Sequence, residues 1–118
     1  MPTLDEHLAN TARNEVLVER LVSLDAGWAV TCLFYAALHL IEAYLSQTGA
    51  ANKNHREREA SVRHAVELNR IATSYTRLKK ESENSRYKCV EFSAASFRML
   101  RDNIYRPLAV FVRGLVTL

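Results

Sequence analysis

Glycine, proline and cysteine are all scarce in this sequence, with three, two and two copies among 118 residues. An all-β chain needs a turn signal about every ten residues, which so few glycines and prolines cannot supply, so long uninterrupted helices are expected. Cys32 and Cys89 are too few and too far apart for a disulfide framework. Neither has a cysteine or histidine at zinc-finger spacing, so both read as free thiols in a reducing cytosol. The N-terminus, Met1 to His7, lacks the basic-then-apolar order of a secretory signal, and a cytoplasmic location is expected. Also missing are a Gly-rich phosphate loop, a His-Glu-x-x-His motif and a serine-histidine-acid order, which removes several enzyme classes. No cofactor and no metal are expected.

What is present is ordinary for a globular chain: 48% hydrophobic and 25% charged residues. A chain of this size buries roughly two-thirds of its unfolded surface, enough for a single domain spanning residues 1–118 without staples. The net charge of +3 conceals an asymmetry. Residues 1–52 carry two basic and six acidic side chains, whereas residues 53–101 carry twelve and six. This makes a basic, phosphate-attracting face possible on the second half; a solvated surface that answers the acidic first helix is the equal alternative.

Four capping signals mark helix starts. Thr3 with Glu6 forms a capping box ahead of a first helix that ends near Ser23, with Leu8, Ala12, Val16, Leu17, Leu21 and Leu24 as its stripe. Ser23 or Asp25 opens a second helix, Trp28 to Leu45, apolar on nearly every side and closed by Gly49. Between Ala26 and Leu45 the only charge is Glu42, and the length just reaches the ~20 residues of a bilayer span. Thr31, His39 and Tyr44 within it favour a buried core helix instead. Asn54 with Glu57 starts a third helix, a further helical stretch covers about Ile71 to Lys80, and Glu81–Ser85 reads as a loop or frayed end. Tyr87 to Phe92 reads as extended. Ser93 caps the last helix, lined by Phe97, Leu100, Ile104, Leu108 and Phe111, which should kink or restart at Pro107.

The run Phe34-Tyr35-Ala36-Ala37-Leu38-His39-Leu40-Ile41-Glu42-Ala43-Tyr44-Leu45, followed by Gly49, Lys53-Asn54-His55 and later Arg86-Tyr87, resembles prokaryotic helical domains of the HEPN superfamily. The resemblance covers residue 26 to about 113. It implies an all-α, up-and-down bundle of four to five helices with a kinked last helix, usually a homodimer, with a nucleotide- or RNA-related role. It also implies a possible protein partner of nucleotidyltransferase type. Active members cleave RNA without metal through an Arg-x4–6-His motif on a late helix. This chain departs there, since Phe97 to Pro107 contains no histidine, and Ser82 stands where the group often carries an arginine. A non-catalytic or degenerate module that binds RNA, a nucleotide or a protein is therefore the first expectation. The alternative is a metal-independent ribonuclease of a toxin-antitoxin or phage-defence system.

Several residues qualify as carriers of chemistry. Arg58 and His64 match the nuclease spacing but stand about 120° apart around one helix. His55 at a helix start, with Lys53, Arg56 and Arg58, is a phosphate-site candidate, because unpaired amides favour an anion there. Its structural alternative is a histidine bonded to a carbonyl. The dense basic run includes Arg77, Lys80 and Arg86, with Tyr87 for stacking, the combination that binds single strands without sequence readout. Tyr35, His39 and Glu42 share one stripe of the second helix, either as a buried polar pocket or as polar residues that fix helix register or a dimer seam.

Overall fold

In the computed structural model the described residues are 2–48, 54–64 and 66–116, apart from the side chains of His55, Glu59, Arg63, His64 and Val66. Gly49 and Lys53 lie outside them. The chain is all-α among these residues, and four of its helix starts follow local caps. Helix α1 (Leu4–Leu21) opens with the Thr3 and Glu6 box, Thr3 Oγ1 accepting from the Glu6 amide at 3.2 Å and Glu6 accepting from the Thr3 amide at 2.9 Å. Helix α2 (Ala26–Gln47) opens on Asp25, which accepts from the Trp28 amide. Helix α3 (His55–His64) opens on Asn54, which accepts from the Glu57 amide.

A short 3-10 segment (Val66–Ile71) leads into α4 (Ala72–Tyr87). Ser93 then caps α5 (Ala94–Leu100), which continues through a π-helical turn (Arg101–Tyr105) into α6 (Arg106–Leu115) with no non-helical residue between them. The restart expected at Pro107 is present, in the first turn of α6 and directly after the π-helical turn. In the wider turn the Arg106 amide bonds to the Arg101 carbonyl, and the proline begins a fresh helical segment where its missing amide breaks no ladder.

Helix α2 is the axis of the bundle, with α1, α4 and the last helical run against it. It is long and apolar enough to span a bilayer by length and composition, yet most of it is covered by the other helices. Ala29, Val30, Phe34, Ala36, Ala37, Leu40 and Ile41 have no exposure at all. Phe34 stacks at a tilt on Tyr75 of α4, ring centres 5.7 Å apart. At Gly27 of α2 a Cβ would stand 2.7 Å from Ser85 Oγ of α4, so the glycine admits the approach of the two helices there.

Two expectations need correction. The buried face of α1 is His7, Thr11 and Val18, whereas Ala12, Val16, Leu17 and Leu24 face solvent. Apolar residues are spread so widely around α1 that periodicity does not single out one side; polar partners on α2 do. Helix α4, moreover, runs straight through Glu81–Ser85, burying Ser82 against the core. It ends with Cys89 in left-handed backbone (φ 55°) while the Val90 amide reaches back to the Asn84 carbonyl. That termination normally belongs to glycine, which is why the sequence does not announce it.

Candidate functional site

One side of α2 escapes complete burial, and along it Tyr35, His39 and Glu42 succeed one another at helical steps of four and three. Each is engaged by a different helix, so they form a polar stripe rather than one closed pocket.

At Tyr35 the partner comes from α4. Arg86 Nη1 donates to Tyr35 Oη at 3.1 Å and to Tyr87 Oη at 3.2 Å, and its Nε donates to the Ser82 carbonyl at 3.4 Å. The guanidinium lies 5.7 Å from the Tyr35 ring centre and 4.8 Å from that of Tyr87. Aromatic faces attract a cation, so these contacts fix Arg86 in place without neutralising it. No carboxylate pairs with it among the described residues.

At His39 the partner is His7 of α1, with the two Nδ1 atoms 3.1 Å apart and the rings tilted by 37° at 5.3 Å. Thr11, one turn beyond His7, donates to its own helix at the His7 carbonyl and to α2 at the Ala36 carbonyl. Burial lowers the pKa of both imidazoles. Arg58 pushes the same way on each, His7 pushes on His39, and Glu42 opposes them. At Glu42 the partner is Arg58 of α3, whose Nε donates to the carboxylate at 2.5 Å, with side-chain exposures of 8% and 12%.

The fold thus gathers Tyr35, His39, Glu42, Arg58, Arg86 and Tyr87 along one side of α2. It separates Arg77 and Lys80 from them, placing both on the outward side of α4. There they line an open depression of about 600 Å³ with Thr73, Thr76 and Asn84. Arg56 is exposed on α3. Lys53 and the side chains of His55 and His64 lie outside the described residues. The regular backbone of α3 keeps Arg58 and His64 about 120° apart around its axis. Among the described residues no three histidine, cysteine or acidic side chains converge to hold a metal ion.

The residue that sequence reasoning missed is His7. Its only signal is a four-residue spacing to Thr11 on a helix otherwise judged by its apolar stripe. Comparison with protein-family models, with curated proteins and with solved structures found no match for this chain.

Proposed function

We propose that this protein is a HEPN-like, non-catalytic module that binds the phosphates of RNA or of a nucleotide along the partly covered side of α2 that carries Tyr35, beside Arg86 and Tyr87. The observation carrying this reading is Arg86, a half-buried guanidinium held between two tyrosines with no carboxylate partner among the described residues. An arginine so positioned keeps its charge and part of its donor fork for an incoming anion. Tyr87, 71% exposed, offers a face on which a base can stack. Arg58 contributes less to such a site, because its charge already faces Glu42. The same pairing counts against a ribonuclease that would need Arg58 on the scissile phosphate.

The module acts in the cytoplasm, without metal or cofactor, as a homodimer or beside a partner protein of nucleotidyltransferase type. Exposed apolar residues such as Leu24 and Trp28 are compatible with such a contact.

The test is fluorescence anisotropy with a short single-stranded RNA across a salt series. Losing one charge-assisted bond is worth about 1.5–3 kcal/mol, so Arg86→Met should weaken binding by roughly ten- to a hundredfold. The salt slope should become shallower by about 0.7, the share of one phosphate on a single strand. If Arg77→Ala with Lys80→Ala abolishes binding while Arg86→Met leaves it intact, the site has been misplaced. RNA cleavage in EDTA would overturn the non-catalytic reading.

A further inference from the structure

Helix α1 is seated on α2 in an unusual way. Its buried residues are His7, Thr11 and Val18, so the polar anchors of the first two turns are a pair of imidazoles and a hydroxyl, with Leu8 the apolar residue packed beside them on the core. Leu4 and Leu8 are only partly covered.

The imidazole pair can hold one proton between its Nδ1 atoms but not two. At 3.1 Å one ring must donate and the other must accept through a free lone pair. When both rings are protonated, one at the accepting Nδ1 and the other at its free Nε2, both Nδ1 atoms become donors and two cations face each other at hydrogen-bond distance. The surroundings do not relieve this. Glu42 on α2 attracts both rings, but Arg58 on α3 lies against Glu42 and repels them. On α1 itself, Glu6 is committed to the Thr3 cap, and Arg13, which adds a further repulsion on His39, is bonded to Asn10. Burial lowers the pKa of both rings, so protonating the two together requires acidification.

We propose that the His7–His39 pair is a proton-operated latch that seats the N-terminal half of α1 on the polar stripe of α2 and releases it when both imidazoles are protonated. Release bares His39 beside Glu42 and Arg58 and adds positive charge to the stripe. The latch regulates the site assigned above to phosphates, and in that regulatory sense it rests on that reading.

Hydrogen–deuterium exchange of the full chain in EDTA, without RNA, tests the latch by itself. After correction for intrinsic exchange, amides of residues 4–14 should exchange about tenfold faster or more at about pH 5 than at about pH 7.5, with those of the α2 core unchanged. His7→Phe, which fills the seat with a ring that cannot titrate, should abolish the pH dependence. No acceleration in the wild type, or the same acceleration in His7→Phe, would overturn the proposal.

Should His7→Phe fail to fold, imidazole ¹⁵N shifts of the wild type decide the matter. A shared Nδ1 proton at neutral pH that is lost together with α1 protection supports the latch; two imidazoles titrating independently refute it. Because no RNA enters either measurement, a failed latch leaves the Arg86 reading standing, and a chain that binds no RNA can still carry the latch.

Discussion

Breaking the Glu42–Arg58 pair from either side should cost this protein about 3 kcal/mol. The argument starts from burial, because at 8% and 12% side-chain exposure neither charge can be rescued by water once its partner has gone. Glu42→Met takes this carboxylate from a largely buried guanidinium, and Arg58→Met takes this guanidinium from a buried carboxylate. In each case the loss is chiefly the desolvation of the survivor. Replacing both together removes that penalty, so the double variant should lie within about 2 kcal/mol of wild type, well short of the sum of the single losses. Urea denaturation followed by far-UV circular dichroism measures all four proteins, and an unchanged m-value licenses the comparison. In thermal melts each single variant should fall by roughly 10 °C. Single losses under about 1 kcal/mol, or a strictly additive double variant, would refute the reasoning. Arg58 would then be loosely held and available to a ligand, and the ribonuclease reading would regain its main residue.

Three further outcomes follow from two buried polar groups. Among the described residues Thr31 Oγ1 meets no hydrogen-bond partner, so the isosteric Thr31→Val should raise stability by about 1 kcal/mol, read as a higher urea midpoint. Tyr105 is 4% exposed, and its hydroxyl donates to Glu15 at 2.7 Å while Arg113 holds the same carboxylate. Burial and that carboxylate push its pKa up. Ultraviolet titration should find Tyr105 among the phenols that stay protonated through the alkaline range in which an exposed tyrosine ionises, a signal that Tyr105→Phe removes, and Tyr105→Phe should destabilise by about 2 kcal/mol.

Much of the fold was legible because its signals are local. Thr3, Asp25, Asn54 and Ser93 cap helices through bonds that span only three residues, so a reader of the chain sees donor and acceptor together. Glu81–Ser85 misled for the opposite reason. Five polar residues in a row look like a loop, and only the close passage of α2 over Ser82 and Ser85 shows what they pack against. Within the candidate site, the α2 stripe and the Arg86-Tyr87 pair were visible as residues, but their convergence was not.

The amino-acid sequence by itself determined an all-helical chain, the positions where its helices begin, and the central place of α2, because caps and all-round apolarity act within a turn or two of helix. Only the tertiary structure decided which side of α1 is buried, that His7 meets His39 across 32 residues, and that Arg86 meets Tyr35 across 51. These pairings depend on how helices cross. Crossing is set by the fit of whole faces such as Gly27 against Ser85, which no short stretch of sequence contains.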